Sequence, residues 1–274
     1  MKIECLNYYN ESATLSVDLK EVFNRIHLNL DFFIKSLKKD YPESFDNIIQ
    51  VLITRFQQIK KLPKEIVKKN SILDNYPDLR DGVFTYILSE MKYRTHEKEG
   101  QSLTEKSEIT VTDFLRAILF HNYKVATSLT EILPRDKAID YYKKIINERI
   151  RSQKDPNIYS EDLDEFDKQG TKFFETYQGH NEIVFRINAG KRGAKIIKCK
   201  WYEILKELKD PDFCYAVACH GDFESTKNYN PAFVLTRTRT LMQEDEYCDF
   251  CYHDPRIIEI VEHPEEEFWN NLQK

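Results

Sequence analysis

The residues best suited to chemistry lie in the last third of the chain. Of its six cysteines, all but one fall in this part: Cys199, Cys214, Cys219, Cys248 and Cys251. Clustered thiols in a chain without an export signal usually serve catalysis, metal binding or redox chemistry. The alternative is that these cysteines are small core residues. Among them, Cys219 has the most suggestive neighbours, because His220 and Asp222 follow it.

Cys219 and Asp222 are predicted to share a helix face. Asp210-Pro211 has the form of an N-cap followed by proline in the first turn, and the helix it starts would carry Tyr215, Cys219 and Asp222 on one side. A thiol there can attack an electrophilic carbon, and a carboxylate can move the proton. His220 becomes a base only if the helix ends by Gly221. The alternative is an inert core thiol beside a capping aspartate.

Two strands are expected to bring arginines to the same region. We predict strands at 233–241 and 247–253, joined by a loop at 242–246, with Arg239 opposite Asp249 and Arg237 opposite Cys251. Side chains alternate along a strand, so one face would hold Arg237, Arg239, Asp249 and Cys251 as substrate contacts, and the other Thr238, Thr240, Cys248 and Phe250. A shift of one residue would exchange the faces.

Cys248 and Cys251 have the spacing of a zinc knuckle, but the segment around them is extended. Residues three apart in a strand point to opposite faces, so the two thiols would not chelate one ion. No second pair with this spacing occurs in the sequence. We therefore predict neither a metal nor another cofactor.

The overall composition excludes several classes of partner. With a net charge of −5 the chain has no basic footprint for nucleic acid. It contains no stretch of roughly twenty apolar residues for a membrane helix and no apolar leader, so we expect a cytoplasmic location. The expected partner is a small-molecule substrate; the sequence leaves the oligomeric state open.

The positioning elements are predicted to form an α+β fold. Apolar residues recur at helical spacing through the first 150 residues, and residues 1–155 are predicted to form a helical N-terminal region. Residues 156–274 add a helix at 160–177, a hairpin near Gly190, two further helices, the two strands above and a final short helix. This part is predicted to form an antiparallel sheet packed with helices and to carry the site.

The order of motifs in the last third resembles the signature of the L-2-amino-thiazoline-4-carboxylic acid (ATC) hydrolase family. The motifs are Lys-Cys-Lys-Trp (198–201), Ala-Cys-His-Gly-Asp-Phe (218–223), Asn-Pro (230–231), Leu-Thr-Arg-Thr-Arg-Thr-Leu (235–241) and Cys-Asp-Phe-Cys-Tyr (248–252). The resemblance implies hydrolytic opening of a cyclic amidine to an N-carbamoyl amino acid. In that reaction Cys219 would attack, Asp222 would move a proton and Arg237 would hold the substrate carboxylate.

Two departures from the family pattern leave the substrate open. The turn before Cys-Asp-Phe carries Glu244-Asp245 in place of the usual glycine, and Cys251 stands where a basic residue is common. Two other functions compete with the hydrolase. The final strand is also similar to that of vinyl-reductase-like small-molecule sensors, although no DNA-binding segment accompanies it. The other competing function is that of an interaction protein that uses the acidic C-terminal helix.

Overall fold

The computed structural model describes residues 1–57, 71–92, 106–153 and 156–272. The chain divides into two compact units. The helical unit spans Thr14–Ile145, and the sheet unit combines Met1–Ala13 with Ile146–Lys274. The predicted α+β class is confirmed. Within the described residues, no helix is long and apolar enough to cross a membrane.

The described part of the chain contains both strands and helices. The strands are β1 (Lys2–Asn7), β2 (Thr14–Val17), β3 (Ser107–Thr110), β4 (His180–Asn188), β5 (Lys191–Cys199), β6 (Val234–Thr236) and β7 (Cys248–His253). The helices are α1 (Leu19–Asp40), α2 (Phe45–Arg55), α3 (Pro77–Glu90), α4 (Val111–Ser128), α5 (Arg135–Ser152), α6 (Leu163–Tyr177), α7 (Lys200–Leu205), α8 (Pro211–Ala218), α9 (Asp222–Tyr229) and α10 (Glu266–Asn271).

The helices of the helical unit begin where polar side chains can cap them. Asp18 accepts the backbone N–H groups of Lys20 and Glu21 at the start of α1, and Thr110 accepts that of Asp113 at the start of α4. The apolar faces of both helices are buried, as their spacing predicts. The β2–β3 pair was not predicted from the sequence. The polar stretch 95–108 is typical of an exposed loop, but residues 95–105 lie outside the described residues and β3 begins at Ser107.

The sheet unit contains a five-stranded antiparallel sheet with the order β1-β4-β5-β7-β6. The central hairpin of β4 and β5 turns at Gly190, as predicted. Strand β1 was not predicted, because it lies at an edge and most of its side chains remain exposed. Its polar and apolar residues alternate only from Lys2 to Cys5, the shortest stretch that indicates a half-buried strand.

The two faces of this sheet are covered by different elements. Cys248, Phe250 and Tyr252 of β7 point to one face, which we call the site face, together with Ala194 and Ile196 of β5. Phe166 of α6 packs against Tyr252 there. On the opposite face, Trp269 of α10 packs against Phe185 of β4 and encloses Cys251. Helix α6 therefore covers part of the site face, and α10 covers part of the opposite one.

The predicted register of the last two strands is wrong by one residue. Thr236 pairs with Cys251, where the prediction placed Arg237, and β6 ends at Thr236 instead of reaching Leu241. The reason is that a side-chain carboxylate takes the place of backbone carbonyls as hydrogen-bond acceptor. Asp249 Oδ1 accepts the backbone N–H groups of Thr238 (2.9 Å) and Arg239 (2.7 Å). Asp245 Oδ2 accepts that of Thr240 (2.7 Å). Side chains satisfy the backbone after residue 236, so no ladder is needed.

Glu182 is a charged residue in the middle of the sheet whose ionisation should weaken the fold. Its side chain lies on β4, is 4% exposed, and has no hydrogen bond or ion pair within the part of the chain that the structure describes. Burial raises the pKa of Glu182 from 4.5 to about 7. The folded state therefore holds this proton more tightly than the unfolded chain does. The contribution of Glu182 to the free energy of unfolding is fully present below the unfolded pKa of 4.5 and is lost as pH rises through about 7.

We therefore expect Glu182→Gln to stabilise the protein in alkaline solution only. The free energy of unfolding should rise by about 1–3 kcal/mol at pH 8, because the wild-type carboxylate is charged there and its burial without a partner destabilises the folded state. It should change little at pH 4.5, where both side chains are neutral. Urea unfolding at the two pH values measures the difference, with the exposed Glu175→Gln as the control. An equal effect at both pH values would contradict the electrostatic explanation.

Candidate functional site

The candidate site begins at the junction of α8 and α9. Asp210 accepts the backbone N–H of Phe213 at the start of α8, so the predicted cap is confirmed. The prediction of a single helix is wrong: α8 ends at Ala218, Cys219 lies at its C-terminus, and Asp222 begins α9. The backbone N–H groups of Cys219 and His220 both bind the Tyr215 carbonyl, which closes the helix. The helical spacing of Cys219 and Asp222 is therefore replaced by a tight bend.

Arg237 crosses from the end of β6 to this bend. Its Nη1 donates to Asp222 Oδ2 (2.6 Å), and its Nη2 donates to the Cys219 carbonyl (2.9 Å) and to the Tyr215 hydroxyl (3.2 Å). The guanidinium carbon also lies 4.7 Å from the centre of the Phe250 ring and 5.1 Å from that of Phe223. Arg237 thus joins α8, α9 and β7 through charge-assisted hydrogen bonds and cation–π contacts.

These contacts change the part that Arg237 can play. Its side chain is only 1% exposed, and both of its terminal nitrogens already donate to protein oxygens. A guanidinium enclosed in this way orients the carboxylate it holds and has little surface for a substrate carboxylate. The sequence predicted that Arg237 would hold the substrate carboxylate. The structure indicates that Arg237 positions Asp222.

The Asp222 carboxylate lies in a recess of the protein. Its side chain keeps 38% of its surface accessible, although protein surrounds it closely enough for burial to raise the pKa of Asp222. The charge and hydrogen bond of Arg237 act in the opposite direction on that pKa. A carboxylate with a raised pKa that a small molecule can still reach is suited to accept and return protons.

The Cys219 thiol lies beside this carboxylate. Cys219 is partly exposed, and burial together with the charge of Asp222 raises the pKa of its thiol well above the ordinary value. The sulfur is therefore protonated at neutral pH, and attack by it needs a base at the moment of reaction. Within the described ranges no hydrogen-bond partner of the Cys219 thiol is found.

Three further side chains converge on the same recess, and the sequence assigned none of them to it. Cys199 and Cys248 both interact electrostatically with Asp222 and with each other, and Tyr252 interacts with Asp222 and Arg237. Cys248 packs with Ala194 and Ile196 beside Phe250, which confirms its predicted place on the inner face. Their only sequence signal was their place in the family motifs. Three thiols and the Tyr252 ring therefore lie near the Asp222 carboxylate.

Cys199 has a partner that the sequence did not reveal. His180 Nε2 lies 3.3 Å from Cys199 Sγ, across the paired ends of β4 and β5. The His180 ring stacks on Trp201 (4.9 Å between centres) and meets Phe174 of α6 edge-on (5.0 Å). Gly179 makes this stacking possible, because a Cβ there would lie 2.3 Å from the Trp201 ring. The imidazole is thus clamped against the thiol.

His220, the predicted base, turns toward α5. Asn147 Nδ2 donates to its Nε2 (3.1 Å), so that nitrogen carries no proton in this arrangement. Its ring centre is 6.3 Å from that of Tyr215, which also touches Arg237. The helix does end before Gly221, the condition set for His220 to reach the site. Its role in proton transfer stays a prediction.

The remaining predicted contacts lie on the opposite face of the sheet. Cys251 is fully buried against Phe185 and Trp269, so the prediction that it shares a face with Arg237 is wrong. Asp249 binds the backbone after β6 and His263 Nε2 (3.0 Å). Arg239 pairs with Glu266 of α10 (2.6 Å). The register shift moves Arg237 to the face of Phe250, whereas Arg239 lies beyond the end of β6 and outside the ladder.

The described residues contain no group of three or more His, Cys, Asp or Glu side chains that could hold a metal ion. All six cysteines are free thiols. The chemistry that the site offers on its own is therefore nucleophilic attack by sulfur and proton transfer by carboxylate or imidazole.

Comparison with known proteins gives one match. The family model for L-2-amino-thiazoline-4-carboxylic acid hydrolase matches residues 113–252, just over half of the chain. No curated protein and no solved structure matches. The matched range includes Cys199, Cys219, Asp222 and Arg237, all of which contribute to the recess. The chain belongs to the L-2-amino-thiazoline-4-carboxylic acid hydrolase family.

Proposed function

We propose that the chain hydrolyses a small cyclic amidine of the thiazoline type, opening the ring to give an N-carbamoyl amino acid. Family membership suggests a hydrolase-like role. The observation that carries the finer proposal is the Asp222 carboxylate, which is recessed, still accessible, and fixed by the enclosed Arg237. A fixed base in a confined site is what proton transfer to a ring nitrogen or sulfur requires.

The reaction needs an attacking group at the carbon between nitrogen and sulfur. That carbon is electrophilic, and the carbon–sulfur bond breaks once a nucleophile has added to it. The attacking group is a thiol near Asp222, and Cys199, Cys219 and Cys248 all interact with that carboxylate. Because burial raises the pKa of each thiol, a base must take the thiol proton as the bond forms. Asp222 can move protons in the steps that follow.

The walls of the recess fit a small, flat heterocycle. Phe223 and Phe250 lie against Arg237, and Phe250 stacks with Tyr252 at 6.2 Å between ring centres. Flat aromatic surfaces accept a planar amidine, and the nearby carboxylate can bind its N–H groups. A sensor with a closed apolar cavity would instead hold Cys219 far from charge, whereas here Asp222 and Arg237 adjoin it. These contacts favour the enzyme.

The proposal predicts turnover of 2-amino-2-thiazoline-4-carboxylate. Incubation of the wild-type chain with this compound should release N-carbamoylcysteine, detected by mass spectrometry, together with a free thiol that a colorimetric reagent can titrate. The exposed Cys5→Ala variant is the control, because its thiol on β1 is far along the sheet from β7. Absence of product from folded wild-type protein, with this compound and with its oxygen and nitrogen ring analogues, would refute the proposal.

A further inference from the structure

We infer that Cys199, with His180 as its base, is the attacking nucleophile of the recess, and that Cys219 is not. The inference rests on the proposed function, which it deepens by naming the thiol that forms a bond to the substrate. Cys199 and Cys219 are both partly exposed thiols, but their surroundings differ.

A protonated thiol attacks only where a base can take its proton. Burial raises the pKa of Cys199 to about 12, so both thiols are protonated at neutral pH. Cys199 has the imidazole of His180 at 3.3 Å from its sulfur. No such partner of Cys219 is found among the described residues, and its neighbour Asp222 is already bound to Arg237. Only the first thiol therefore has a base in hydrogen-bond contact.

The surroundings of the imidazole fix its position and keep it neutral. Trp201 and Phe174 hold its plane, and burial lowers the pKa of His180 to about 4, which keeps the ring neutral. A neutral ring can accept the thiol proton, and the imidazolium then formed is a strong acid in the same site. His180 can thus pass the proton on to the departing ring sulfur.

The position of Cys199 also fits the rest of the recess. The charge of Asp222 contributes to the raised pKa of Cys199, so the carboxylate at the start of α9 lies near the thiol at the end of β5. A nucleophile with its own base on one side leaves Asp222 free to act on water. This division of labour gives each step of the hydrolysis its own proton acceptor.

The first step forms a covalent intermediate. Cys199 Sγ adds to the ring carbon while its proton passes to His180 Nε2. The bond from that carbon to the ring sulfur then breaks, and the ring sulfur takes the electron pair and the proton from His180. An isothiourea linked to Cys199 remains, carrying the opened substrate with its free thiol.

The second step consumes water. Its oxygen bonds to the isothiourea carbon while Asp222 takes one proton and passes it to the nitrogen. The bond from the carbon to Cys199 then breaks, and the sulfur recovers the other water proton. The product is an N-carbamoyl amino acid, and the thiol, imidazole and carboxylate return to their starting states.

The experiment compares Cys199→Ala with the matched Cys219→Ala on 2-amino-2-thiazoline-4-carboxylate. We expect Cys199→Ala to lose at least about 1,000-fold in kcat, and Cys219→Ala to lose less than about tenfold, because only the first removes the attacking atom. Acid-quenched wild-type enzyme should carry the isothiourea on the peptide that contains Cys199. Turnover by Cys199→Ala at the wild-type rate, or an adduct on Cys219, would overturn the inference.

A second measurement separates this inference from the proposed function. Iodoacetamide should alkylate Cys199 faster than Cys219, and His180→Gln should slow the alkylation of Cys199 about tenfold without changing that of Cys219, because the base assists only its own thiol. Equal rates for the two thiols, or no effect of His180→Gln in folded protein, would overturn the pairing. If the wild type fails to turn over the thiazoline while alkylation follows this pattern, the proposed substrate is contradicted, and the assignment of Cys199 as the nucleophile is supported.

Discussion

Replacing Asp222 with Asn is expected to lower kcat for 2-amino-2-thiazoline-4-carboxylate by about 100- to 1,000-fold. The amide keeps the size of the carboxylate and can still accept a hydrogen bond from Arg237, so the recess should retain its shape. What it loses is the ability to take a proton. We therefore expect KM to change by less than about threefold, because binding and proton transfer depend on different properties of this side chain.

The matched control is Asp212→Asn, an exposed position in the first turn of α8. This variant carries the same chemical change on the preceding helix and should keep the wild-type rate. Steady-state kinetics on both variants, with circular dichroism to show that they fold, measures the effect. A loss of activity in Asp212→Asn equal to that in Asp222→Asn would indicate a general charge effect and would contradict the role of Asp222.

The pH dependence tests the same carboxylate. Burial raises the pKa of Asp222 while Arg237 opposes the rise, so the rate should increase as pH rises through the shifted pKa. Removing the positive charge of Arg237 should move this acid limb to higher pH, since the opposing influence disappears. The limb should be absent from the residual activity of Asp222→Asn. A limb that persists unchanged in that variant would belong to another group.

The sequence predicted the site in part because its strongest signals are local. The cap at Asp210 and the apolar spacing of α8 placed Cys219 and Asp222 close together, and that closeness survives although the helix breaks between them. The break itself depends on the Tyr215 carbonyl, which accepts two backbone N–H groups, and no residue pattern predicts this arrangement. The local sequence therefore predicts that Cys219 and Asp222 lie close together, whereas tertiary contacts determine their relative geometry.

The pairing of β6 with β7 could not be predicted because one side chain replaces part of the expected ladder. Asp249 takes two backbone N–H groups after β6, where an ideal hairpin would continue its ladder, and the residues that do pair are offset by one position from the predicted register. Arg237 consequently reaches the face of Phe250, and Cys251 falls into the core behind it. A period of two leaves no tolerance for such a shift. The motif Cys-Asp-Phe thus contains a structural aspartate between two residues of the site face.

The pairing of His180 with Cys199 was hidden for a different reason. The hairpin was predicted correctly near its turn, but β4 and β5 contain two irregularities, one between Asn181 and Glu182 and one near Asn188. These offset each other, so the far ends of the strands come back into register and place the imidazole opposite the thiol. Without the irregularity between Asn181 and Glu182, His180 would stand opposite Lys198 instead of Cys199. Bulges of this kind recur beside functional sites.

Replacing Arg237 with Met is expected to destabilise the protein by about 2–4 kcal/mol, more than any surface substitution. The loss leaves the Asp222 carboxylate without its cation, and it leaves the Cys219 carbonyl and the Tyr215 hydroxyl without a donor. The lower part of this range applies if water enters the recess, because Asp222 is 38% accessible and can be solvated in place. Met fills much of the same volume between the Phe223 and Phe250 rings, so the cost is electrostatic rather than a cavity.

A double-mutant cycle distinguishes this electrostatic cost from lost packing. Asp222→Asn combined with Arg237→Met removes the stranded charge, so the pair should be about 1–2 kcal/mol more stable than the sum of the two single effects predicts. Urea unfolding of the four proteins at pH 7 measures the coupling. Arg239→Met is the control, because this arginine binds Glu266 at the surface and its loss should leave the urea midpoint close to that of the wild type. Strict additivity of the Asp222 and Arg237 variants would mean that Arg237 holds the helices together by packing alone, and its influence on the pKa of Asp222 would then have to be absent as well.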